Sequence, residues 1–147
     1  MKHHGVVTLK RFGSCLICFL LLSPSSLIAE DQEDRKEKLR YIIMDVHEAA
    51  DASNLEMLEK LMPPIFKYSF GGDDLRESAI KYYKENPEKL KTLVSILEMG
   101  CKSLGEFFYS CPPQDADKTV VYFGPRAGFE YDQKNKKWIF KYFVEGD

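Results

Sequence analysis

The chain has 147 residues, 44% hydrophobic and 30% charged, which suits one globular domain and leaves little room for a second. Its formal net charge is −2; without Lys2, Lys10 and Arg11 ahead of Glu30, 18 Lys+Arg stand against 23 Asp+Glu, a net of −5. That balance argues against nucleic acid or an anionic membrane as a partner, because both need a concentrated basic surface.

Residues 1–29 read as a secretory signal peptide. The start is basic, no acid precedes Glu30, and an apolar run from Phe12 to Leu22 leads into "SPSSLIA" with a small residue at Ala29. A run of about 11 residues is too short to span a bilayer core of roughly 30 Å, so no stable membrane anchor is expected. Cleavage near Ala29 would send a single domain, residues 30–147, to the periplasm or the extracellular space.

Residues 30–38 are fully polar and read as a frayed lead-in. Leu39, Ile42, Ile43, Val46, Ala49 and Ala50 follow at steps of three and four, the stripe of an amphipathic helix ending near Ala52. Ser53 stands three residues before Glu56, the spacing of a capping box. Leu55, Leu58, Leu61 and Met62 give the second helix its buried face, and Pro63-Pro64 stops it. The alternation of Ile65–Phe70 predicts a half-buried strand with Phe66, Tyr68 and Phe70 on one side. Asp74 and Glu77 predict a cap for a third helix over about Leu75–Glu85. Asn86-Pro87 predicts an N-cap and first helical position for a fourth, with Leu90, Leu93, Val94 and Leu97 on its core side. Gly100 is placed to terminate it.

Aromatic residues make up 13% of the chain and most follow residue 65, which favours a sheet. "EFFYS", "TVVYFG", "FEYD" and "WIFKYFV" read as strands, with "GPRAG" as a tight connection. On the last, Trp138, Phe140, Tyr142 and Val144 should share one face, and Ile139, Lys141 and Phe143 the other. Short links make an antiparallel meander. The expected fold is therefore α+β, N-terminal helices packed on a curved, mainly antiparallel sheet.

This order of helices, one early strand, further helices and a meander closing on "KKWIFKYFVEGD" resembles the NTF2-like (SnoaL-like, cystatin-type roll) superfamily over residues 39–145. The resemblance rests on the helix-to-strand stretch "ADASNLEMLEKLMPPIFKY" and on the Trp-led final strand at Lys137-Trp138-Ile139. It implies a cone with an inner pocket, used by some relatives for catalysis and by others for binding or assembly. A fold so widely shared specifies no one activity.

Cys101 and Cys111 are the two cysteines outside the leader. If Glu106–Ser110 is extended, it separates its ends by roughly 13–16 Å, whereas a disulfide needs Cα atoms within about 7 Å. Strand and bond compete unless Ser103-Leu104-Gly105 folds the chain back. The alternatives are a disulfide, favoured by export, or two thiols. A catalytic thiol lacks a neighbouring base.

His47 and Asp51 lie four apart on the first helix and could act as a base with its orienting acid, or as a solvent-facing pair. Tyr41, Tyr82, Tyr83, Phe107, Tyr122 and Trp138 could line a pocket or form ordinary core, with Arg126 at the mouth. Asp73-Asp74 reads as a helix start before an acid pair, and Lys134–Lys137 as a solvated hairpin turn before a basic patch. No catalytic, cofactor or metal signature appears. The expectation is a small exported binding protein, holding an apolar molecule in the cone or a protein partner on the sheet, with a homodimer through the sheet as one form of the latter. The rivals are a pocket enzyme of isomerase or hydrolase type and an envelope inhibitor or immunity-type protein. A filled core would favour a protein-binding surface, and a deep cavity holding a carboxylate the enzyme.

Overall fold

The computed structural model describes residues 24–69, 71 and 74–145. Most of the expected leader lies outside these residues, as do Phe70 and Asp73. The first helix, α1, runs unbroken over Pro24–Asp51. Residues 30–38 are thus helical rather than a frayed lead-in, and the expected cleavage point after Ala29 falls within the helix. Charge spacing explains it: Arg35 pairs with Asp31 at 2.9 Å, Lys36 with Glu33 at 2.8 Å and Lys38 with Asp34 at 2.7 Å. Each such pair adds about 0.2–0.5 kcal/mol to a helix.

Helix α2 covers Leu55–Leu61, and its N-cap is Asn54, whose side chain accepts from the Met57 amide at 3.0 Å. The expected cap, Ser53, instead turns the chain in the left-handed region, with φ at 51°. The segment after Pro63-Pro64 is extended but forms no strand of the sheet. Ile65 bridges Leu75 and Lys67 bridges Tyr142, each singly. Its alternation still operates, with Phe66 fully buried and Lys67 exposed.

Helix α3 spans Arg76–Glu85 with no side-chain cap; the Asp74 carbonyl accepts from the Phe66 amide at 2.8 Å. Helix α4 spans Glu88–Glu98 with Pro87 at its N-cap position. Asn86 ends α3 instead of opening α4, and its side chain donates to the Tyr82 carbonyl at 2.9 Å. Leu90, Leu93, Ile96 and Leu97 are buried. Gly100 adopts φ 87° and closes α4 as expected, a conformation that is strained for any residue with a Cβ.

Four strands follow, β1 (Lys102–Gly105), β2 (Phe108–Cys111), β3 (Arg126–Asp132) and β4 (Lys137–Val144), all antiparallel in the order β1-β2-β3-β4. The molecule is α+β, with α1 packed on β4 and α4 on β3. Strand β1 was not expected, and the expected strand Thr119–Gly124 is irregular, with Val120, Val121 and Phe123 exposed. β1 folds back beside β2 and β3 takes its other side, so residues 119–124 find no free side of β2 to join. Arg126, expected in a turn, opens β3.

A second difference is a bulge. Gly128 pairs with Tyr142 but Phe129 pairs with Phe140, which leaves Lys141 as the extra residue. Beyond it the faces exchange: Phe143 is buried at 1% exposure, and Tyr142 crosses the outer face above Gly128. The grouping of Tyr142 with Trp138 and Phe140 is corrected accordingly.

Between helices and sheet the space is filled by rings. Phe140 contacts Phe66 at 5.0 Å and Phe129 at 5.4 Å between centroids, and Tyr83 meets Phe143 at 5.9 Å. Tyr83 is buried and donates to the Phe143 carbonyl at 3.4 Å. Desolvation holds its phenol well above the usual tyrosine range, so it stays a neutral donor.

Candidate functional site

The residues expected to line one pocket are distributed over several places. Tyr82 lies between Tyr68, tilted at 5.4 Å, and Tyr83, edge-on at 5.6 Å. Phe107 lies parallel to Tyr131 at 6.0 Å, and the Arg35 guanidinium sits 5.3 Å from the Phe107 centroid. Tyr122 donates to the Pro125 carbonyl at 3.0 Å, and Arg126 faces the Asp115 carboxylate at 3.7 Å. His47 approaches Glu98 of α4 at 3.5 Å and Asp51 is exposed, so of the two readings the structure has the solvent-facing one and not a base with its orienting acid. Among the described residues no group of three or more His, Cys, Asp or Glu could hold a metal ion, and no helix is long and apolar enough to cross a membrane.

Cys101 and Cys111 are joined, with Cα atoms 4.2 Å apart. Strand and disulfide coexist because the chain reverses at Glu106-Phe107, which sets Lys102 opposite Ser110 and brings the two cysteines just beyond that pair together.

Tyr41 and Trp138 alone among the expected pocket residues share a site. It is an open trough on the outside of the domain, where α1, the end of α2 and the start of β4 meet. One part, about 540 Å³, has a floor of Ile42, Leu61, Met62, Pro63, Pro64 and Ile139 against Trp138. The other, about 340 Å³, shares Ile42, Leu61, Lys137 and Trp138 with it and adds Tyr41 and Asp45. Its floor is rigid for identifiable reasons. Trp138 is 6% exposed, packs on Tyr131 at 5.3 Å, and donates its indole N–H to the Arg35 carbonyl at 2.7 Å. Pro63-Pro64 fixes the exit from α2, and the Pro64 carbonyl accepts from the Arg76 amide at 3.1 Å.

The rim is basic. Lys60, Arg76 and Lys137 line one part, and Lys38, Lys136 and Lys137 the other; Asp45 and Asp132 are the acids. Lys38 and Lys60 are steadied by Asp34 and Glu56, each at 2.7 Å. Arg76 is held by Glu77 at 3.3 Å, and its buried Nε lies 3.5 Å from Glu59 without a hydrogen bond. Asp132 organises the turn that carries the lysines: it accepts from the Lys134 amide at 3.0 Å, the Asn135 amide at 3.1 Å and the Asn135 side chain at 2.7 Å. The Asn135 side-chain bond is the main reason its carboxyl lies below the usual carboxylate range. Lys136 completes the turn with φ at 51°. The segment read as a solvated turn before a basic patch is thus both a hydrogen-bonded turn and one wall of the trough.

A second polar group sits on the sheet's outer face. Ser110, fully buried, donates to Asp115 at 2.5 Å and meets the Tyr142 hydroxyl at 3.2 Å. Burial pushes the Tyr142 phenol up. Ser110 has no access to solvent, and its bond to Asp115 pins the 3-10 turn Pro113–Ala116 to the sheet.

Neither a family model nor a curated protein matches the chain. Sequence reasoning named Tyr41, Trp138 and the Lys134–Lys137 turn but missed Ile42, Leu61 and Pro63-Pro64 as a surface. Their signal was Pro63-Pro64-Ile65, an apolar stop just after a lysine, read only as a helix end.

Proposed function

We propose that the chain is an exported, non-catalytic binding protein whose partner is a protein, held in the trough over Ile42, Leu61, Pro63-Pro64 and Trp138. The observation that carries this is the contrast between a ring-filled interior and an apolar, rigid, open channel outside. A small apolar ligand needs a cavity that encloses most of its surface; between helices and sheet, Phe140 instead packs on both Phe66 and Phe129. The Cys101–Cys111 bond is what an oxidising compartment supports.

The test uses the chain purified from its native host. The mature protein should begin at Glu30, and a partner protein should bind it saturably. The Tyr41→Glu variant, at a position 56% exposed, should weaken that binding without moving the thermal midpoint. A tightly held small molecule released on denaturation, with no protein partner, would overturn the reading.

A further inference from the structure

We infer that Cys101 is a site of thiol exchange, and that exchange there unlatches residues 101–106 from the body of the domain. The segment has two fixed ends and little hold between them. At one end Gly100 closes α4 with φ at 87°. At the other the Phe107 carbonyl accepts from the Tyr131 amide at 2.9 Å, and the Phe107 ring lies on Tyr131. Every residue of β1 is exposed, and its register with β2 shifts between Ser103 and Gly105. The Ser103 hydroxyl bonds the Gly105 amide and carbonyl, both within β1, so these bonds do not tie it to β2. The latches are therefore the disulfide at the base and the Glu106–Arg35 pair, 3.1 Å, at the tip. Beneath the segment lies a cavity of about 90 Å³, with Ser103, Gly105 and Glu106 on one side and Arg35, Tyr109 and Trp138 on the other. Residues 101–106 lie outside the walls of the trough, so this device stands apart from the binding surface.

The two sulfurs are not equivalent. Cys111 is 0% exposed and belongs to the core, whereas Cys101 is only half-buried. Exchange requires access to the sulfur attacked, which selects Cys101. The co-reactant is a dithiol. One of its thiolates attacks the Cys101 sulfur, the bond to Cys111 breaks, and its electron pair passes to the Cys111 sulfur, which takes up a proton. The dithiol's second thiol then displaces Cys101 from the mixed disulfide and returns it as a thiol. The dithiol is oxidised by two electrons and the protein's disulfide reduced by two. A monothiol stops at the mixed disulfide, which Cys111 can attack to restore the bond. With the base unlatched, a ladder that buries nothing opens locally, while the ring-packed β3 and β4 stay closed. In an oxidising compartment the latched form is the resting one, and a dithiol is the signal that opens it.

The first measurement exposes the oxidised protein briefly to reduced glutathione, quenches with acid and digests with trypsin. Cleavage after Lys102 puts the two cysteines on different peptides. The glutathione adduct should sit on Cys101 about tenfold or more over Cys111; an adduct mainly on Cys111 would overturn the assignment of the exchanging sulfur. The second measurement reduces the wild type with dithiothreitol. Trp138 is the sole tryptophan, is 6% exposed and faces the cavity, so its quenching by acrylamide should rise severalfold. Amide exchange should accelerate in Lys102–Gly105 and stay slow in β3, β4 and α4, and reoxidation should reverse both changes. The Cys101→Ser/Cys111→Ser variant should match the reduced wild type and ignore dithiothreitol. Reduction that leaves Trp138 shielded and β1 protected would show that the disulfide is no latch. Exchange that accelerates throughout the domain would show that the bond holds up the whole fold and that no local opening exists.

Discussion

The two hairpins of the sheet are held by different means. β3 and β4, of seven and eight residues, carry Phe129, Tyr131, Trp138, Phe140 and Phe143 into the core. β1 and β2 have four residues each, and every residue of β1 is exposed. A strand that buries nothing cannot hold its register by the hydrophobic effect, and an isolated two-stranded hairpin is marginal. The Cys101–Cys111 bond closes the base of this hairpin instead, and Ser103 braces its bulge by accepting from the Gly105 amide at 3.1 Å. For β1, which has no ring to bury, a covalent link and local hydrogen bonds take over.

The largest effect should come from the ring-packed hairpin. Phe140→Ala should cost about 4 kcal/mol in urea unfolding, since Phe140 is fully buried between Phe66 and Phe129; a loss below about 2 kcal/mol would mean the core repacks. Next is the stapled hairpin. Replacing both Cys101 and Cys111 by serine should cost about 3 kcal/mol on the loop-entropy account. Amide exchange should accelerate in β1 and β2 far more than in β3 and β4, and uniform acceleration would erase the contrast. Alkylation of the unreduced native protein should find neither thiol free.

A smaller effect is expected where the hairpins meet. A Cβ at Gly128 would come within 2.1 Å of Tyr142 Cε1, so Gly128→Ala should cost about 2 kcal/mol by displacing the ring that reaches Ser110. In a Tyr142→Leu background the same change should cost clearly less, and equal costs would show that the ring is not the obstacle. The smallest effect belongs to the Asp132 turn. Its folded-state carboxyl titrates below the unfolded value near 3.9, so its contribution is present above that pH and fades as pH falls through the folded value. NMR titration should find Asp132 depressed in the wild type and returned toward normal in Asn135→Ala.

Local chemistry was legible to the degree that it was local. Helical stripes at Leu39–Ala50 and Leu90–Leu97, the stop at Pro63-Pro64 and the closing Gly100 follow from 3.6-residue periodicity and backbone sterics. The errors fell where neighbours decided. Asn54 displaced Ser53 as cap because only one of two adjacent polar residues can point at the helix start. "TVVYFG" has strand composition, yet β1 had already taken the only free side of β2. The bulge at Lys141 moved Phe143 inward and Tyr142 outward, an exchange that no alternation count contains.

What the chain determines by itself is its class: amphipathic helices ahead of ring-rich strands, because side-chain spacing sets which surfaces must be buried. The tertiary structure decided where the vacancy lies. Ile42, Leu61, Pro64, Lys137 and Trp138 are distant in sequence, and no periodicity relates them. They become one surface only because α1 and the end of α2 pack beside β4 and leave a channel the core does not need to fill. The physical reason is that burial is a property of each segment's own pattern, whereas an unfilled surface belongs to the fit between segments.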